Sequence, residues 1–288
     1  MKKILIMLTI MVLTLALALS ACGAEPDATA VDQDMEGQSA DNQDASDAAE
    51  ESDLAYIQDK GVLLIGITDF APMNYRDTDG SWIGFDTEFA EAVCEKLGLS
   101  AEFVEIDWDN KILELEAKSL DCVWNGMTLT DEVLNAMSCT KPYINNAQVV
   151  VMNADAIDNY DSIESLAELS FAAEAGSAGE EAIQENGLEA NYTAVASQAD
   201  ALLEVSSGSS DACVIDITMA AAMTGAGTSY ETLAYGLELT TEEYGIGFRK
   251  DSDMAATVDE IIDQLAEDGT LQALADKYDL SGALVINQ

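Results

Sequence analysis

The chain has 288 residues, 55 acidic against 11 basic side chains, a formal charge of -44 and 49% apolar content. That balance excludes nucleic acid as a partner and docking on anionic lipid through a basic patch, because both need a Lys/Arg surface. The apolar share excludes wholesale disorder. Histidine is absent, which removes histidine catalysis, a histidine metal site and a histidine pH switch.

In chain order, Met1-Lys2-Lys3 is a short basic start, residues 4–19 carry no charge, and Leu19-Ser20-Ala21-Cys22 follows. A basic start, an apolar stretch and small residues before a cut site predict a secretory signal, and the stretch is short for a bilayer span. Ending in Cys22, it resembles a bacterial lipobox. The resemblance implies a lipoprotein signal peptide over 1–21, cleavage before Cys22 and lipidation of its thiol. Residues 24–53 hold eleven acidic residues and no basic one, with few large apolar groups to offset chain entropy. Residues 22–53 are therefore expected to be the lipidated cysteine and a disordered, self-repelling spacer. Cys94, Cys122, Cys139 and Cys213 form no C-x-x-C pair, so buried free thiols are expected, although an exported location allows disulfides.

Beyond residue 53 strand-like runs alternate with helical patterns. Strands are predicted at 61–66, 101–106 and 121–124, with helices at 86–97 (Asp86 as N-cap, Gly98 as stop) and 111–118. The alternation recurs with strands at 169–174, 192–195 and 212–215 and helices at 178–186, 198–205 and 217–223. Strands separated by helices of about ten residues predict an α/β class with mainly parallel sheets. Both Asp121-Cys-Val-Trp and Asp211-Ala-Cys-Val-Ile follow a helix and a short turn, and their strands end at polar positions, Asn125 and Asp216. Ligands of open α/β sheets sit at such carboxyl ends. Two apolar runs, 148–152 and 244–248, read as crossover strands between two lobes. Lobe 1 is then discontinuous, 54–147 plus 245–288, and lobe 2 is 148–244. Residues 252–278 read as one or two amphipathic helices. Trp82 and Trp108 are expected to pack lobe 1.

These motifs resemble the extracellular solute-binding proteins of polar-amino-acid ABC importers. The resemblance covers about 58–280. Its markers are Gly61-Val-Leu-Leu-Ile-Gly, Phe70-Ala-Pro-Met-Asn-Tyr75, Gly84-Phe85-Asp86, Asp121-Cys-Val-Trp-Asn-Gly-Met-Thr-Leu-Thr130, Lys141-Pro-Tyr143, Gly176-Ser-Ala-Gly-Glu180, Asp211-Ala-Cys-Val-Ile-Asp216, Tyr244-Gly-Ile-Gly-Phe-Arg-Lys250 and Asp268-Gly-Thr-Leu. It implies a two-lobed, periplasmic-binding-protein-like clamp that closes on a small solute and docks on a membrane permease. It also implies a monomer on the outer face of the cell membrane, held there by the N-terminal lipid. Carried over residue by residue, Phe70 lies against the ligand side chain. Asn125, Gly126 and Thr128 bind its ammonium together with Asp216. Ser177 and Ala178, before a helix, receive its carboxylate, which suits the free N–H groups there. Glu174 adds an acid near the site, and Trp124 can wall the cleft. Alternative readings stay open: Phe70 and Trp124 as core, Asp216 and Ser177 as simple caps.

One departure stands out. The family reads Thr-x-Glu-Arg, whose Arg binds the α-carboxylate, where this chain has Thr130-Asp131-Glu132-Val133. No Lys or Arg nearby along the chain replaces it; Arg76 and Lys141 match positions outside the pocket. Val133 therefore suggests an amine-like or otherwise non-standard solute. Competing expectations are an α-amino acid held more weakly by Ser177 and the helix start alone, or a relic or sensor that binds no solute. No cofactor, metal site or catalytic residue is expected. An exported enzyme on the same fold, with Glu174 or Asp216 as general acid or base, is the alternative class. Outside the spacer and the basic start, 44 acidic residues face nine basic ones, a field that favours cations near the cleft.

Overall fold

A computed structural model describes residues 52–285. The expected signal peptide, Cys22 and all but the last two residues of the acidic segment lie outside the described residues. Those two residues, Ser52 and Asp53, correct the predicted spacer boundary because they belong to the folded body. The Ser52 hydroxyl caps helix α1 (Asp53–Lys60) by accepting from the Ala55 N–H, and Gly61 ends the helix in the left-handed conformation that glycine tolerates. The Asp53 carboxylate accepts from the Arg249 guanidinium at 2.8–3.0 Å, and Asp253 accepts from the Ser52 hydroxyl and the Leu54 N–H.

The chain continues through β1 (Val62–Ile67), a ribbon of β2 (Tyr75–Arg76) and β3 (Trp82–Ile83), α2 (Phe85–Leu97), β4 (Ser100–Glu105), α3 (Lys111–Glu116), β5 (Cys122–Thr128), α4 (Asp131–Ala136), β6 (Ser138–Cys139) and β7 (Ile144–Asn146). Then come β8 (Gln148–Asn153), α5 (Ile163–Leu166), β9 (Phe171–Glu174), α6 (Ala178–Glu185), β10 (Tyr192–Val195), α7 (Gln198–Ser207), β11 (Ala212–Asp216), α8 (Ile217–Met223) and β12 (Leu233–Glu238). The described chain closes with β13 (Glu242–Phe248), α9 (Met254–Glu267) and α10 (Thr270–Lys277). One sheet has the order β4-β1-β5-β13-β6, with β7 also on β13; the other has the order β10-β9-β11-β8-β12. In the first, β4, β1 and β5 are parallel and β13 runs antiparallel to β5. In the second, β10, β9 and β11 are parallel and β8 runs antiparallel to β11. The result is a mixed α/β architecture of two helix-flanked sheets, each with three parallel strands running in from one edge. The expected crossover runs supply the antiparallel member of each. The chain passes between the sheets at Ala147 and again at residues 239–241.

The strand at 62–67 forms because Leu63, Ile65 and Ile67 are wholly buried in the continuous apolar run typical of a parallel strand. In α9 the buried positions Met254, Val258, Ile261, Ile262 and Leu265 recur at helical spacing and form one apolar face. Asp86 does not cap α2. Gly84 holds that position, and the Asp86 carboxylate takes long-range partners instead: the Gly126 N–H at 2.6 Å and the Tyr143 hydroxyl at 2.8–2.9 Å. Burial pushes this carboxyl up to about 7. Cys94, Cys122, Cys139 and Cys213 are free, and burial drives the thiols of Cys94 and Cys139 up to about 12 and about 11, the behaviour of inert packing groups. Among the described residues no helix is long and apolar enough to cross a membrane.

Candidate functional site

A cavity of about 330 Å³ opens where the end of β5, the start of α4 and residues 108–111 face the end of β9, α6 and the end of β11, within the size range of small-molecule sites. Seven predicted residues line it: Asn125, Gly126, Thr128, Glu174, Ser177, Ala178 and Asp216. Phe70 and Trp124 do not. Phe70 packs edge-on against Tyr244, and Trp124 edge-on against Phe89, both as fully covered core. Phe70 shapes the site from behind. Gly126 has φ +55°, and a Cβ there would lie 2.5 Å from the Phe70 ring, so only glycine allows the backbone to turn at that point.

Asp216 ends β11, yet its side chain makes no cap for α8. Its carboxylate accepts from the Gln148 amide at 2.9 Å and from the Asn146 and Gln198 amides, while its own N–H donates to Gln198 at 3.0 Å. The same Asn146 and Gln148 amides also donate to Glu242, each at 2.6 Å, and Thr128 adds its hydroxyl at 3.1 Å. A buried carboxylate, Asp216, and a half-buried one, Glu242, thus share neutral donors beside the points where the chain changes sheets. Burial, and then the charge of Glu242, push Asp216 up to about 7; burial raises Glu242 as well. The Asn125 amide ties the end of β1, accepting from the Thr68 N–H at 3.0 Å and hydroxyl at 2.8 Å.

Glu174, at the end of β9, is 3% exposed and its Oε1 has no hydrogen-bond partner. Burial and the neighbouring Asp216 push it up to about 8, against the pull of the Thr68 hydroxyl and Lys111. An acceptor left bare in a cavity wall is costly, and it is a ready receptor for an ammonium.

Ser177 caps α6, accepting from the Glu180 N–H at 3.2 Å, and the Gly176 N–H donates to the Glu180 carboxylate at 2.6 Å. The capping reading of Ser177 therefore holds for its hydroxyl. The N–H groups of Ala178 and Gly179, which begin the helix, precede its i→i−4 ladder. Gly176 has φ +68°, and a Cβ would meet the Asp109 Cα at 2.7 Å. Glycine is what lets these two segments, one beside each sheet, touch.

The sequence reading missed Lys111. It opens α3, is 4% exposed, lines the cavity, and donates to the Gly176 carbonyl at 2.8 Å. Burial lowers its pKa, while Glu132, Asp109, Glu174 and Glu180 hold it up. Val133 also lines the cavity, as part of an apolar cluster with Trp108, Met127 and Met137. The expectation that no cation serves this region is corrected, because Lys111 reaches it from a different element. The lining otherwise carries six carboxylates, Asp109, Glu132, Glu174, Glu180, Glu181 and Asp216, and Lys111 is its one cation among the described residues. Among these residues no cluster of potential metal ligands is present.

The family described as bacterial extracellular solute-binding proteins, family 3, matches residues 63–281. The L-cystine-binding protein TcyA of Bacillus subtilis is 30% identical over 96% of this chain and 97% of its own. The L-arginine-binding protein of Pseudomonas aeruginosa is 29% identical over 73% of this chain and 84% of its own. Among solved structures, an ancestral amino acid-binding protein, described as a precursor of cyclohexadienyl dehydratase, superposes with a TM-score of 0.72 at 30% identity, over 79% of this chain and 99% of that one.

Proposed function

The chain belongs to the bacterial extracellular solute-binding proteins, family 3, and from that premise we propose that it is the solute-capturing component of an ABC importer, taking an amino acid or related ammonium-bearing solute between its two lobes. The carrying observation is the charge of the cleft: six carboxylates against one lysine, with Glu174 presenting an unpartnered buried oxygen. Such a wall repels anions and is relieved by a cation. The solute ammonium rests between Glu174 and Asp216, near Thr128 and the turn at Gly126. The names of the relatives, which bind L-cystine and L-arginine, agree in class. Lys111 in the cleft favours a solute that also carries a carboxylate over the amine-like solute suggested by Val133. The lobes in this reading keep the expected division at 147/148, with Ser52 and Asp53 joining lobe 1 and the second boundary moved from 244/245 to 241/242 because all of β13 lies in the first sheet, and they hinge where Asn146, Gln148 and Glu242 meet. The protein works as a monomer, tethered through lipid on Cys22 and delivering solute to a permease.

The test is calorimetric titration with α-amino acids, amines, sugars and dicarboxylates. Binding confined to ammonium-bearing solutes, and abolished in Asp216→Asn, supports the reading. Tight binding of a sugar or dicarboxylate overturns it.

A further inference from the structure

Lys111 is a buried lysine in the wall of the cavity. Its stem lies by Trp108, with the ammonium 5.2 Å from the ring centroid, and its partners are two carbonyls, Gly176 at 2.8 Å and Trp108 at the outer limit of 3.5 Å. An ammonium has three donors, so at least one is free for the cavity it lines. The Gly176 carbonyl places that ammonium beside the start of α6, where the Ala178 and Gly179 N–H groups come before the helical ladder. A lysine beside a helix start is an anion receptor. Glu174 and Asp216, both nearly fully buried, line the same cavity and form the cation receptor, with the bare Oε1 of Glu174 among its atoms. One small cavity therefore offers both charges, which is the pattern of a zwitterion. The acids facing Lys111 are Asp109, Glu132 of α4, Glu174 of β9 and Glu180 of α6. Glu180 is itself engaged by the Gly176 N–H.

We propose that Lys111 is the specificity-determining residue of the cleft: its ammonium receives the carboxylate of a solute whose own ammonium lies between Glu174 and Asp216, so that the clamp distinguishes α-amino acids from the corresponding amines. This rests on the solute-binding reading above and narrows its substrate. It assigns to a lysine on α3 the task that the family resemblance gives to an arginine at the place of Val133.

The experiment measures dissociation constants for matched pairs, arginine and agmatine, lysine and cadaverine, ornithine and putrescine, on the unaltered chain, Lys111→Met and Lys111→Arg. The expected result is a preference for the amino acid in the unaltered chain that falls by about tenfold or more in Lys111→Met, as loss of a charge-assisted bond implies, and survives in Lys111→Arg. Lys111→Gln gives the same ratio should methionine disturb folding. An amino acid/amine ratio unchanged by removal of the lysine overturns the proposal even while solutes still bind. Binding of no member of any pair, and of none of the other α-amino acids, cystine included, overturns the solute-binding reading, and the proposal with it.

Discussion

Glu174→Gln separates the cost of the binding site from its use. Glu174 is 3% exposed, has a bare Oε1 and titrates at about 8 against an ordinary 4.5. Its folded pKa lies above its unfolded one, so the folded state binds the proton more tightly, and stability falls as pH rises from about 4.5 to about 8. At 1.36 kcal/mol per pH unit, the penalty at pH 8 is on the order of 4 kcal/mol, and at pH 5 about 1 kcal/mol. Glutamine keeps the shape and removes the charge. The solute-free variant should therefore melt higher than the unaltered protein, by roughly 2–4 °C per kcal/mol recovered for a body of this size, and by clearly more at pH 8 than at pH 5. Its affinity for the solute should fall, the trade of stability against function expected at a binding site. Thermal melts at the two pH values, with a titration of each protein, check both parts. A melting gain equal at pH 5 and pH 8, or a loss at pH 8, would refute the reasoning.

Other outcomes follow from the same geometry. Because Glu174, Asp216 and Glu242 are all raised, capture of an ammonium should expel protons, and affinity should rise from pH 6 to pH 8 by up to about tenfold per pH unit for each proton released; calorimetry in buffers of different ionisation enthalpy counts them. Gly176→Ala should oppose the approach of Gly176 to Asp109, weakening capture and enlarging the radius of gyration with solute present, as read by X-ray scattering. Arg249→Met should cost about 3–5 kcal/mol in urea unfolding, because it takes one cation from the fully buried Asp121 and frees Asp53, while leaving solute affinity unchanged.

The sequence carried the fold well where burial is continuous along the chain. The run at 61–66, the crossover runs at 148–152 and 244–248, and the helix stop at Gly98 are local signals that survive tertiary packing. Strand β12 escaped because Leu233–Glu238 mixes glycine and glutamate into a pattern with only Leu233 fully buried. Within the site, residues at strand ends and helix starts were legible, since those positions are defined by the elements they terminate. Aromatic residues misled: strand alternation turns Trp124 of β5 into the core, and Phe70, in the turn after β1, packs edge-on against Tyr244. Asp86 looked like a cap because a carboxylate before a helix usually is one, and its true partners, Gly126 and Tyr143, are 40 and 57 residues away. Lys111 gave no local warning, because a lysine on a short helix reads as solvated surface. Its burial depends on Gly176, 65 residues later.

The most direct test of the central claim is to unfold the purified full chain and identify by mass spectrometry the small molecule it releases. The account predicts a stoichiometric solute carrying an ammonium group, lost when Asp216 is replaced by asparagine. A stoichiometric neutral sugar or an anion without an ammonium would contradict it.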